Sequence, residues 1–217
     1  QEHPETRFAF RLSATSYADL IRTISQPTAG GPRYGLTHFW PDDSPLWAAP
    51  IAQDQIAVVV HPTNPVRELS AAQLQAIYQG RIVSWAALGG EEQTITVVSR
   101  EADSGTRLAF QRLALGDRPI TLNARLATSS AAVLQIVGDD RGAIGYISLG
   151  LIDARVRPLA IDGRQPLLTD RNDYPFQVPI VVIGAQEPQG AYRAFFAWMQ
   201  NAGGQAVVAR RYRPLLE

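Results

Sequence analysis

Apolar runs of strand length alternate along the chain with stretches whose apolar residues recur at helical spacing. Arg7-Phe8-Ala9-Phe10-Arg11-Leu12 predicts a first strand. Ser16-Tyr17-Ala18-Asp19 then has the S-x-x-D form of a capping box opening a helix through Leu20, Ile21 and Ile24. Residues 26–50 are rich in Pro, Gly and aromatics without a sustained period, which predicts loop around at most one short strand near residues 34–39. Ile56-Ala57-Val58-Val59-Val60 is continuously apolar, as a strand buried on both faces requires, and His61-Pro62-Thr63-Asn64-Pro65 ends it. Leu69-Ser70-Ala71-Ala72-Gln73-Leu74 combines a Ser cap, a Gln three residues later and a hydrophobic staple, and Gly80 marks the helix stop. Thr94-Ile95-Thr96-Val97-Val98 predicts a strand, followed by a polar turn over residues 99–104 and a helix with Ala109, Phe110 and Leu113 on one face. Ser129 or Ser130 caps a helix through Val137, residues 143–147 and 178–183 read as strands, and a last helix spans about residues 191–199. This alternation predicts an α/β protein with parallel sheets flanked by helices, whose ligands sit in loops beyond the carboxyl ends of the strands.

At 217 residues the chain holds one large domain or two small ones, and 46% hydrophobic content with 18% charge supports a real core. Lys+Arg and Asp+Glu both total 20, so no broad positive field draws the chain to nucleic acid or an anionic membrane. Every basic residue is Arg, which a high-GC codon bias explains. The absence of Cys excludes disulfides and thiolate metal sites. No apolar run approaches the roughly 20 residues of a membrane span, and no basic start followed by an apolar segment marks a signal peptide. The chain is then either cytoplasmic or processed at its start; the polar opening Gln1-Glu2-His3-Pro4-Glu5 reads as a linker tail and favours processing.

The sharpest constellation is Arg100-Glu101-Ala102-Asp103-Ser104-Gly105-Thr106-Arg107, between a buried strand and the first turn of a helix. A helix start carries unpaired N–H donors and a partial positive charge, so an anion placed there gains main-chain hydrogen bonds. Gly105 permits close approach, Ser104 and Thr106 add hydroxyl donors, and the planar fork of Arg100 can clamp two oxygens of a tetrahedral anion. The same residues would also make an ordinary Ser cap beside a surface Arg. Thr15 and Ser16, in the equivalent position of the opening unit, are either a second group of hydroxyls facing the anion or a plain cap. His38 with Asp42 and Asp43 lacks metal-ligand spacing, and no metal or other cofactor is expected. Ser104 lacks a G-x-S-x-G elbow and no His follows it, which argues against a hydrolase; no Lys exists to complete a phosphate-binding P-loop. These features argue against an enzyme.

Asn64-Pro65, the capped helix with Ile77-Tyr78-Gln79-Gly80, Trp85, the R-x-x-x-S-G-T run at 100–106 and Gly142-Ala143-Ile144-Gly145-Tyr146 occur in one order. Gly204-Gln205-Ala206-Val207-Val208 and Tyr212-Arg213-Pro214-Leu215 follow. Together they resemble the phosphate-binding proteins of ABC transporters over about two thirds of the chain. The resemblance implies a two-lobed type II periplasmic-binding-protein fold with a ligand cleft. Residues 1–61 and 171–217 would form the first lobe and residues 62–170 an inserted second lobe, with boundaries near His61 and Asp170. It further implies that Arg100, Ser104, Gly105 and Thr106 bind the anion, that Thr15 and Ser16 belong to the first-lobe loop, and that the protein is a periplasmic or extracellular monomer. Such a protein, held at the membrane through a transporter or a removed lipid anchor, delivers inorganic phosphate or a similar oxyanion to an ABC permease. The family's further first-lobe loop with Ser and Gly, and its unit ending in a proton-accepting Asp, are missing between Ser25 and Pro50. That shortening leaves a second expectation open: a ligand-sensing or protein-interaction domain on the same fold, with altered or lost anion binding.

Overall fold

A computed structural model describes residues 15–26, 33–40, 43–168 and 173–215. The strand expected over residues 7–12, Ser13, Ala14, Asp42 and the boundary residue Asp170 lie outside the described residues. In chain order the elements are α1 (Tyr17–Ser25), β1 (Tyr34–Thr37), β2 (Trp47–Val60), β3 (Glu68–Leu69), α2 (Ala71–Tyr78), β4 (Thr96–Arg100), α3 (Gly105–Phe110) and β5 (Arg125–Ala127). There follow α4 (Ser130–Asp139), β6 (Ala143–Ser148), β7 (Arg157–Pro158), β8 (Ala160–Ile161), β9 (Gln177–Gly184), α5 (Gly190–Gln200) and α6 (Ala202–Val208). The chain forms two compact units, Gln1–Gln53 with Pro179–Glu217, and Asp54–Val178, whose boundaries fall within β2 and β9.

In the unit Asp54–Val178 the strands run in the order β2–β6–β4–β5. β4 pairs parallel with β6 and with β5, while β2 pairs antiparallel with β6, Ile56 standing opposite Ser148 and Val60 opposite Ile144. The sheet is therefore mixed where the alternation of elements predicted a parallel one. Helical crossovers return the chain to the same edge between β4, β5 and β6 and make them parallel, but β2 enters at the carboxyl end of β6 and runs the other way.

Both faces of this sheet are covered. Ile56, Val58 and Val60 join Val97, Ile144 and Tyr146 in a core closed by Leu74, Ile77, Tyr78 and Phe110, whereas Ala57, Val59, Val98 and Ile147 face Val133, Leu134 and Val137 of α4. This double burial explains the uninterrupted apolar run at 56–60, because residues of both parities need apolar partners.

The capping box expected at Ser70 is complete, and Ser16 caps α1 by accepting from Asp19 N. Ser70 accepts from Gln73 N while the Gln73 side chain accepts from Ser70 N, α2 ends at Tyr78, and Gly80 sits at φ +74°. Ser129, not Ser130, caps α4. Leu113 departs from the expected face: it is 36% exposed, while Ala114 and Leu115 are buried. The cause is a π-helical turn over Gln111–Leu115, which widens the helix after α3 and rotates later residues off the 3.6-residue stripe.

In the other unit β1 pairs antiparallel with β9, and Ile51, Ala52, Ile180 and Val182 form a core under Tyr34, Trp47, Phe196 and Met199. β2 begins at Trp47, inside the stretch read as loop, where Trp47 lies 6.2 Å edge-on to Tyr34. α6 was not expected, since Gly203 and Gly204 lower helix propensity. Asn201 accepts from both of their N–H groups, and a Cβ on Gly204 would lie 2.2 Å from the Trp198 carbonyl oxygen, so the glycine is what lets α6 pack on α5.

Gly142 has a similar role in the larger unit, where an added Cβ would stand 2.4 Å from the main-chain oxygen of Thr94. Gly142→Ala is expected to destabilise this unit by about 1–3 kcal/mol, read as a lowered urea midpoint at unchanged slope. An unaltered midpoint would show that the β6 start can shift to accept a side chain.

Candidate functional site

The register that sets Arg100 opposite Ala127 aligns the carboxyl ends of β4 and β5. Each strand then feeds a helix, β4 into α3 and β5 into α4, so two helix starts arise from neighbouring strands. Arg100, the last residue of β4, joins them: its Nη1 donates to Ser130 Oγ at 3.3 Å. Glu101 grips the other side of the guanidinium, accepting from Nε at 2.8 Å and from Nη2 at 2.6 Å. A guanidinium carries five N–H donors. Three are engaged here, and two have no partner among the described residues.

Arg100 is mostly buried, with 13% of its side chain exposed, so the fork is held rather than waving in solvent. Hydrogen bonding from Arg100 is the main cause that lowers the Glu101 pKa below its ordinary value, with burial opposing it. Glu101 therefore remains ionised and keeps the fork oriented, while cancelling its net charge. Arg107 adds a second guanidinium, donating from Nη1 to the Arg100 carbonyl at 2.8 Å.

The turn itself is tightly made. Ser104 N donates to Glu101 O at 3.1 Å, and Ser104 Oγ caps α3 by accepting from Arg107 N at 3.4 Å. Gly105 and Thr106 occupy the first turn of α3, where main-chain N–H groups have no acceptor within the helix. Arg100, Ser104, Gly105 and Thr106 thus fall on a single strand–turn–helix passage. Thr15 and Ser16 lie in the other unit at the start of α1; Thr15 is exposed, and Ser16 caps α1 by accepting from Asp19 N at 3.1 Å.

Residue spacing did not single out Glu101, Ser130 or Tyr146. The Glu101 signal was present as the residue adjoining Arg100. Ser130 was read only as an alternative helix cap and Tyr146 only as part of a strand motif, because strand pairing alone brings them to Arg100. Most other motif residues quoted above are architectural: Trp85 is buried with its Nε1–H on the Gly142 carbonyl at 2.9 Å, Asn64 Oδ1 accepts from Val66 N, and Gln205 ties α6 to the Ile51 and Met199 carbonyls.

Residues 35–202 match a family described as the PBP superfamily domain. The chain belongs to the PBP superfamily. Among curated PBP proteins it is 35% identical over 150 residues to the phosphate-binding protein PstS of Bacillus subtilis, covering 66% of this chain and 50% of that one. It is 29% identical over 126 residues to PstS of Pseudomonas aeruginosa, covering 52% of this chain and 39% of that one. The chain spans about half the length, or less, of these curated relatives. Of solved structures, a putative phosphate ABC transporter substrate-binding protein with bound phosphate from Clostridium perfringens superposes with TM-score 0.79 at 29% identity, covering 85% of this chain and 79% of that one. An ABC-type phosphate transport receptor from Vibrio cholerae gives TM-score 0.69 at 25% identity, covering 83% and 79%. The expected α/β periplasmic-binding-protein fold and the motif-based resemblance are both borne out.

The Glu101–Arg100 pair makes a signed prediction. Because the folded-state pKa of Glu101 lies below its unfolded value, the pair's stabilisation is complete above the ordinary value of 4.5 and is lost as pH falls through the depressed one. The stability difference between wild type and Glu101→Gln should be constant from pH 8 to about pH 5 and shrink in more acidic solution. A difference that does not change with pH would remove the ionised pair from the account.

Proposed function

We propose that this PBP-superfamily chain is an extracytoplasmic solute-binding protein that holds an oxyanion, inorganic phosphate first, and presents it to an ABC permease as a monomer. The observation that carries the reading is Arg100, a mostly buried guanidinium fixed by Glu101 and Ser130 with two N–H donors unspent, on the same turn as Ser104, Gly105 and Thr106. A tetrahedral anion matches that donor set, since it offers several acceptor oxygens and asks for no covalent step. The relatives agree, all of those compared above being phosphate-binding or phosphate-transport proteins. This favours transport over catalysis and over a sensing domain that has lost its ligand. Among the described residues no helix is long and apolar enough to cross a membrane. Thr15 and Ser16 enter as separate hydroxyl candidates, each to be judged by its own alanine variant. The lobes are proposed to divide near His61 and Asp170, as the resemblance implies.

A ligand that binds only the native state stabilises it by RT ln(1 + [L]/Kd), about 2.7 kcal/mol at a hundredfold excess over Kd. Phosphate at that excess should raise the melting temperature of anion-stripped protein, and Arg100→Ala should abolish the rise. Calorimetric titration with phosphate, sulfate, molybdate and an organic phosphate then ranks the anions. No heat and no thermal shift with any of them would overturn the proposal.

A further inference from the structure

Tyr146 lies on β6, not on the anion-binding turn, yet it touches that turn twice. Its hydroxyl accepts from Arg100 N at 3.1 Å and pairs with Ser99 Oγ at 3.0 Å. Ser99 Oγ in turn donates to the Arg100 carbonyl at 3.2 Å. Each hydroxyl has one proton to give. The arrangement that gives every group a partner sends the Ser99 proton to the Arg100 carbonyl and the Tyr146 proton to Ser99 Oγ, leaving the phenolic oxygen to accept the Arg100 N–H. The result is a closed circuit around a single residue: Arg100 N–H to Tyr146, Tyr146 O–H to Ser99, Ser99 O–H to Arg100 C=O.

The circuit sits where pairing between β4 and β6 has ended, although β4 still pairs with β5 there. The β4–β6 ladder registers Thr96 with Ala143 and Val97 with Ile144, and Arg100 is beyond it, so the tyrosine supplies the acceptor that a longer β6 ladder would otherwise provide. The ring stacks on Phe110, the last residue of α3, with centroids 4.0 Å apart and planes inclined by 9°. Tyr146 is 1% exposed, and burial raises its pKa, so the hydroxyl keeps its proton and both hydrogen-bonding roles.

We propose that Tyr146 is a positioning residue for anion binding: its hydroxyl, with Ser99, sets the Arg100 peptide at the head of the turn, and its ring braces α3 from that helix's far end through Phe110. This inference rests on the anion reading of that turn. It touches no ligand itself.

The test separates position from stability. In Tyr146→Phe the ring and its stack remain while the circuit opens, and phosphate Kd should rise by about tenfold, the equivalent of one hydrogen bond. Ser99→Ala should do the same, and the double variant should be little worse than either, because one circuit is being broken twice. Amide hydrogen exchange at Arg100, measured without ligand, should accelerate in Tyr146→Phe relative to wild type by more than at Val98. A merely structural tyrosine would lower the melting temperature and leave Kd unchanged, and that outcome overturns the proposal. Should wild type bind no phosphate, the anion reading fails separately; the exchange measurement still decides the tyrosine, and equal Arg100 exchange in both proteins would overturn its role.

Discussion

The site depends on parallel pairing between β4 and β5. That ladder places Arg100 opposite Ala127, so the chain leaves both strands at the same rim and starts a helix from each. Had the two strands paired antiparallel, the start of α4 would lie at the far end of the sheet, and Ser130 could not receive a hydrogen bond from Arg100. Parallel pairing needs helical crossovers and apolar cover on both faces. The α2–α3 side and the α4 side provide that cover through separate cores, one around Tyr78, Phe110 and Tyr146 and one around Val133 and Val137. The donor arrangement at the rim is in this sense a consequence of burial in the middle of the sheet.

A mostly buried arginine poses an electrostatic difficulty, because an unpaired charge out of water is costly. Glu101 resolves it with a two-point contact and Ser130 with a third, at the cost of cancelling the net charge that would attract an anion over distance. What remains is a set of oriented donors: the two free guanidinium N–H groups, the hydroxyls of Ser104 and Thr106, and the first-turn amides of α3. Oriented donors select by geometry and lone-pair count, whereas a bare charge selects by sign alone. This agrees with the proposed role of binding a small oxyanion.

The quoted motifs divide into two physical classes. Gly142 and Gly145 allow β6 to pass close to Thr94 and to Val133 and Val137, Trp85 pins the start of β6 through the Gly142 carbonyl, and Gln205 fastens α6 to β2. These residues make the fold. Only the Arg100–Thr106 run presents chemistry, and even there Ser104 spends its oxygen on capping α3. The shortened stretch between Ser25 and Pro50 leaves the larger unit intact, since none of its core residues comes from that segment.

Local signals were legible because their causes are local. Ser16, Ser70, Ser104 and Ser129 each cap a helix within three residues of themselves, and the apolar run at 56–60 announces a strand buried on both sides. The same reasoning identified the Arg100–Thr106 turn as a candidate for anion binding. It missed α6, whose two glycines argue against a helix until close packing on Trp198 requires one of them, and it misplaced Leu113, because a π-turn shifts the helical phase without leaving a compositional mark. Strand direction, the alliance of Arg100 with Ser130, and the hydrogen-bond circuit through Tyr146 were decided only in three dimensions. The sequence by itself determined which residues start helices, fill strands and offer donors, since those properties belong to side chains and their nearest neighbours. The tertiary structure decided which donors remain free, because that depends on partners 30 and 46 positions away, brought close by sheet pairing alone.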